Sequence, residues 1–204
     1  VSGIDSITTP VRALTITQIS ATRSTIEMLM GAYFFDAVVS DKIYFIARGG
    51  ASVVTIPYED LGAGTDTHVE EPFVLRQRTD IELPAWIAIT YSDVSNDYQE
   101  DTQMSDRLIT DVNNTVLATQ IPLAFTHAEA KGIANTILLD MQVQLVNAPI
   151  ALTGNYARLQ PTDVVTVTDK SGHNHRLRFI KMSDSYPKLE FDALADDASV
   201  LTHT

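Results

Sequence analysis

Apolar residues in this chain recur mostly at alternate positions, the period of a strand, and at two places at the three-and-four spacing of a helix. Between Ala32 and Leu61, Tyr33, Phe35, Ala37 and Val39 fall on one face and Phe34, Asp36 and Val38 on the other. After Ser40-Asp41, Ile43, Phe45 and Ala47 oppose Tyr44, Ile46 and Arg48. This predicts a hairpin, followed by a strand over Val53–Ile56 that Pro57 ends. Upstream, Leu14–Ile19 alternates as a strand. A short helix should follow, opened by Thr22 or Ser24, with Ser24 and Glu27 at capping-box spacing, Ile26, Leu29, Met30 and Tyr33 as its apolar stripe, and Gly31 as its stop. Residues 62–72, rich in glycine and polar side chains, are expected to be the most mobile. Phe73–Arg78 and Trp86–Tyr91 read as strands. Ser92–Asn114 is too polar for a core element, with room for one helical turn over Met104–Ile109. Val116–Phe125 returns to a strand pattern that stops near Pro122.

The clearest helix opens at Thr126. Thr126-His127-Ala128-Glu129 fits a capping box, and Ala130, Ile133, Ala134, Ile137, Leu138, Met141 and Leu145 fall on one stripe. At about 1.5–3 kcal/mol per fully buried large aliphatic side chain, docking that stripe contributes several kcal/mol before entropy is subtracted. A charge at Ile137 is therefore expected to damage folding. Short strands are predicted around 143–152, 156–160, 163–168, 175–182 and 188–193, with turns at Asn147, Gly154, Pro161-Thr162, Ser171-Gly172 and Tyr186-Pro187. The fold class expected is α+β, mainly β: a strand-helix-hairpin lobe over 1–125, including an acidic loop at 93–114, then a lobe over 126–204 made of the long helix and a small β-barrel or sandwich.

Composition narrows the function classes. The 204 residues, 45% apolar and 20% charged, are enough to bury a core, and no apolar run approaches the length of a membrane-spanning helix. The chain has no cysteine, which removes disulfides, thiolate nucleophiles and sulfur-ligated metal sites. It opens on Val1 without methionine, so it is expected to be a segment of a longer polypeptide. A net charge of −12 opposes ordinary nucleic-acid binding, which needs clustered Lys and Arg. Acid gathers at Asp93, Asp97, Glu100, Asp101, Asp106 and Asp111 against Arg107 alone. The plain reading is a solvated loop; the functional one is a wall facing a conduit that DNA crosses without sticking.

Candidate chemistry is thin. His173-Asn174-His175 spells HNH, but the nuclease motif of that name spreads over a longer metal fold, and here the tripeptide sits where a hairpin should turn. It reads as turn histidines. Asp93, Ser95, Asp97, Gln99 and Asp101 recur at every second residue like a calcium loop, yet Tyr98 and Met104 stand where that loop needs glycine and a carboxylate. Carboxylate pairs such as Glu70 with Glu71, or Asp93 with Asp97, have the makings of a glycosidase but read as solvated acids. Trp86, the single tryptophan, reads as core rather than a sugar platform. There is no GxSxG elbow, phosphate loop or GxGxxG after a strand. No catalytic, cofactor-binding or metal residues are assigned, no cofactor is expected, and the chain is read as non-enzymatic.

Several weak motifs in order carry a resemblance. Phe34-Phe35-Asp36, Phe45, Arg48 and Ile56-Pro57 through Glu59-Asp60-Leu61 form the first block; Leu83-Pro84, Thr90-Tyr91-Ser92-Asp93 and Asp97-Tyr98-Gln99 the second; Glu129-Ala130, Ile133-Ala134 and Leu138 the third. Leu159-Gln160-Pro161-Thr162-Asp163-Val164-Val165 matches a segment in which Thr162 replaces the usual glycine. From about Ile4 to Phe191 the chain resembles the putative phage tail protein family of tail-tip or baseplate hubs in long-tailed phages, prophages and gene transfer agents. The resemblance implies a virion structural protein, made in the bacterial host cytoplasm, that forms a ring of copies, usually a homotrimer, at the end of the tail tube. Its implied partners are itself and other tail-tip and tube proteins, with DNA passing unbound and no membrane segment. The alternatives are a carbohydrate-binding module and a cell-wall hydrolase, each associated with a phage tail.

Overall fold

The computed structural model describes residues 10–14, 22–39, 41–62, 71–79, 83–106, 114–185 and 188–201. Elements run in the order α1 (Thr22–Tyr33), β1 (Phe35–Val39), β2 (Ile43–Ala47), β3 (Val54–Ile56), β4 (Arg76–Gln77), β5 (Trp86–Asp93), β6 (Gln99–Met104), β7 (Val116–Phe125), α2 (His127–Val143), β8 (Val146–Thr153), β9 (Val164–Thr168), β10 (Asn174–Ser185), β11 (Lys188–Ala195) and α3 (Ala198–Leu201). Strands outweigh helices, so the chain is α+β and mainly β. Contacts divide it into two compact units: Val1–Arg48 with Asp80–Gln142 and Ser199–Thr204, and Gly49–Thr79 with Val143–Ala198. That division differs from the expected cut at 125/126. The long helix belongs to the first unit, where its apolar stripe is buried, and residues 49–79 lend strands to the second.

In the first unit, β1 and β2 pair as the alternation predicts, with Phe35 opposite Ala47, Ala37 opposite Phe45 and Val39 opposite Ile43. The Phe35 and Phe45 rings meet edge to face at 5.6 Å. Helix α1 begins at Thr22, ahead of the Ser24 cap, and runs through Gly31 to Tyr33; Phe34 makes the exit at φ 51°. Burial of Ala32 and Phe34 in the core explains why the glycine does not end it. Packing outweighs the roughly 1 kcal/mol cost of a left-handed phenylalanine. Leu14 bridges Leu123; residues 15–19 of the predicted first strand lie outside the described residues.

A three-stranded sheet, in the order β6-β5-β7, carries α2. Its core joins Ile87, Ile89 and Tyr91 of β5 to Ile121, Leu123 and Phe125 of β7 and to Ala130, Ile133, Ala134 and Leu138 of α2. Two expectations fail here. The polar segment expected to be a loop contains β6, because an edge strand needs no apolar face of its own and charged side chains protect its free edge. Pro122 does not end β7 either. The register jumps from Thr90 opposite Gln120 to Ser92 opposite Ala124, so the proline sits in a bulge, where its missing N–H breaks no ladder. The capping box at α2 forms: Glu129 Oε2 accepts the Thr126 N–H at 2.8 Å, and the Glu129 N–H reaches Thr126 Oγ1 at 3.4 Å. The helix ends at Val143, so Leu145 is not on its stripe.

The second unit is a six-stranded sheet in the order β3-β9-β10-β11-β8-β4. Among the described residues it ends in two edges and does not close into a barrel. Four of the five predicted strands appear. The fifth, 156–160, is replaced by a 3-10 turn at Gly154–Tyr156 and the coil after it, and the predicted Phe73–Arg78 strand shrinks to Arg76–Gln77. Phe179 and Phe191 stack at 4.3 Å over Ile150, Leu152, Val165, Val167 and Leu177, all nearly inaccessible. The 63–70 part of the segment expected to be mobile, and the Tyr186-Pro187 turn, lie outside the described residues.

Candidate functional site

Strand register assembles the main polar cluster of the first unit. Antiparallel pairing of β5 with β6 sets Tyr91 opposite Asp101, and parallel pairing with β7 sets Asp93 opposite Phe125. Two residues beyond Phe125 the chain enters α2, so His127 arrives beside both carboxylates. Its Nδ1 lies 2.6 Å from Tyr91 Oη and 3.1 Å from Asp101 Oδ2, while its Nε2 lies 3.5 Å from Asp93 Oδ2. Tyr91 donates to Asp101 Oδ2 at 3.2 Å, and the Gln103 amide donates to Asp101 as well. Asp93 is 2% exposed, and its other oxygen accepts the Ser95 N–H at 2.8 Å. Asp93, Asp101 and His127 each offer one ligand-type atom within 4.8 Å of the others.

The surroundings fix the charge states of two members. Burial first, then the hydrogen bond and charge of Asp101, push the Tyr91 phenol up to about 12, so it stays a neutral donor at neutral pH. The Thr102 backbone N–H holds the Asp101 carboxyl below its ordinary range, helped by Tyr91, Gln103 and His127. The His127 side chain is 56% exposed, against 3% for that of Asp93.

In the calcium-like spacing, only Asp93 and Asp101 come together, and they do so with His127, which stands in the capping box of α2 far along the chain. Ser95 and Asp97 form the turn between β5 and β6, with Asp97 and Tyr98 at φ 51° and 60°. Of the acidic run, Asp93 is buried and Asp106 is paired with Lys131 at 3.0 Å and with Asn135. Asp97 and Glu100 are exposed, and Asp111 lies outside the described residues. Glu71 is exposed, and Glu70 lies outside the described residues. Trp86 is half-buried on the sheet face opposite Ile87 and Ile89, so it is not the core residue expected.

In the second unit only His173 of the HNH tripeptide lies in the hairpin turn, which Asp169 organises; Asn174 and His175 open β10, paired with Thr168 and Val167. One Asp169 oxygen accepts the Ser171 and His173 backbone N–H groups at 2.8 and 2.9 Å; the other meets His175 Nε2 at 3.0 Å. These bonds, the one from His175 foremost, hold the Asp169 carboxyl down at about 2. A cleft of about 350 Å³ beside it is lined by Tyr58, Glu71, Phe73 and His175. A second cleft, of about 330 Å³ in the first unit, is lined by Tyr33, Phe34, Phe125 and Ile133, with the Arg12–Glu129 pair at 2.7 Å in its wall. Arg48, named by its motif, bridges Asp36 at 2.8 Å and Asp140 at 3.3 Å, tying β1 and α2 together.

The fold is similar to that of a chain in the virion of a native gene transfer agent particle, with a TM-score of 0.82 at 21% identity, covering 93% of this chain and 42% of that one. It is also similar to the 43 kDa tail protein of prophage MuSo2 from Shewanella oneidensis, with a TM-score of 0.55 at 10% identity, covering 92% and 58% respectively. The chain thus spans about half the length of these solved chains. No curated protein matches the sequence. The profile of the family described as putative phage tail protein matches residues 21–181. This chain belongs to that family. No helix among the described residues is long and apolar enough to cross a membrane.

Proposed function

We propose that the protein is a structural component of a tail-tip or baseplate hub in a phage, prophage or gene transfer agent, where copies form a ring, usually a trimer, at the distal end of the tail tube. The observation that carries this reading is the family match over residues 21–181, joined to a fold shared with a gene transfer agent virion chain. Physical features support it. Residues Val116–Gln120 of β7 carry exposed side chains, with Val116 at 46% and Leu117 at 43%. The tip of the β1–β2 hairpin exposes Val39 at 77%. Exposed apolar side chains of this kind suit docking between subunits in a closed ring. A net charge of −12 suits a lumen that DNA crosses without adsorbing. The protein acts, in this reading, through shape and docking rather than catalysis, in the virion after synthesis in the host cytoplasm. Electron microscopy of intact particles labelled at this protein tests the position, and light scattering of the full-length protein tests the ring. A trimer and label at the distal tip are expected; a strictly monomeric protein at high concentration, with label elsewhere on the particle, overturns it.

A further inference from the structure

Each unit contains a sheet that ends, among the described residues, in a short polar strand. In the second unit that strand is β4, paired with β8 through Arg76 opposite Asn147 and Gln77 opposite Val146. The Arg78 N–H extends the ladder to the Leu145 carbonyl at 2.9 Å, so Gln77 turns its own N–H and C=O away from β8. Just before it, Val74 and Leu75 are 42% and 38% exposed. Arg76 and Arg78 are exposed and form no ion pair among the described residues, and β8 beside them carries no charge.

In the first unit the terminal strand is β6, joined to β5 from Asp93 opposite Gln99 to Ala88 opposite Met104. The Ser105 N–H reaches the Ile87 carbonyl at 2.8 Å, so Glu100, Thr102 and Met104 direct their backbone groups outward. The charges on β6 are both acidic, Glu100 and Asp101. Glu100 is exposed with the neutral Gln120 amide against it at 3.3 Å, and Met104 is 44% exposed. β4 against β4 would oppose arginines, and β6 against β6 would oppose carboxylates; like charges across a strand pair are destabilising. β4 against β6 brings the arginines to the carboxylates. An antiparallel register that matches outward backbone groups, Gln77 opposite Thr102, also sets Leu75 opposite Met104 and Arg78 opposite Asp101.

We propose that copies of this chain join by strand addition, the β4 edge of one copy pairing along the β6 edge of the next. The contact is heterologous, each copy offering one edge of each kind, so it propagates into a ring instead of stopping at a two-fold dimer. This inference rests on the ring of the hub reading and specifies its joint.

These 204 residues contain no cysteine, so the joint can be trapped with introduced ones in full-length protein that carries no other. Q77C and T102C copies, co-expressed and oxidised, should form a disulfide between copies, and either variant alone should not. R76E/R78E, changed at exposed positions, should weaken association about tenfold with an unmoved unfolding midpoint. A trimer in which the mixture yields no disulfide overturns strand addition and leaves the ring standing. A disulfide formed by Q77C alone marks a two-fold contact and overturns it too, as does undiminished association of R76E/R78E. A strictly monomeric protein overturns both the joint and the ring.

Discussion

At the scale of single residues, Thr162 shows where this chain departs from its family and at what cost. It stands where the motif has glycine, at φ 83°, with its N–H donated to the Phe179 carbonyl at 2.7 Å and its hydroxyl oxygen buried without a partner. A β-branched side chain in the left-handed region is strained, and a buried unsatisfied hydroxyl adds to the penalty. Thr162→Gly should raise stability by about 1 kcal/mol despite glycine's larger unfolded-state entropy; an equal or lower urea midpoint refutes the strain. Asp169 makes a pH-dependent contribution whose sign follows from its pKa, lowered to about 2 from an ordinary 3.8. Its stabilising effect is fully present above about pH 4 and is lost as pH falls through about 2. Carbon-13 titration should place its midpoint near 2, and Asp169→Asn should flatten the stability curve between pH 4 and 2. A midpoint near 4 means that the turn bonds do not hold in solution.

At the scale of elements, local rules succeed where neighbours along the chain supply the partner. The hairpin register follows the alternation, and the Thr126–Glu129 box closes as the spacing demands. Ile137 packs partly buried against the first core, so Ile137→Asp should destabilise by about 2 kcal/mol in chemical denaturation. An unchanged midpoint would reverse the assigned face of α2. In the second unit, Gly62 sits at φ 77°, and a Cβ there would stand 2.7 Å from the Pro72 side chain. Gly62→Ala combines this clash with left-handed strain and should cost about 1–3 kcal/mol, read as a lower melting temperature. Local rules fail at Gly31 and Pro122, each a recognised terminator. A buried Phe34 carries α1 past the first, and a bulge lets β7 pass the second. β6 was illegible for a related reason: its stability comes from pairing with β5 and not from any apolar face of its own.

At the scale of the whole molecule, the proposed assembly separates folding from association. Leu117 in β7 is 43% exposed, so Leu117→Lys should leave the unfolding midpoint of the monomer within about 0.5 kcal/mol. The same change should lower the trimer fraction in sedimentation; an undiminished trimer removes that side chain from the interface. By itself the sequence determined the mainly β class, the hairpin, the capped long helix and the family blocks, because periodicity, caps and turn residues act over a few residues. Only the tertiary structure decided that the long helix joins the first unit, that residues 49–79 complete the second sheet, and that His127 meets Asp93 and Asp101. Those outcomes depend on strand register and on which buried surfaces fit together, and such contacts join positions too far apart in the chain for any local pattern to record them.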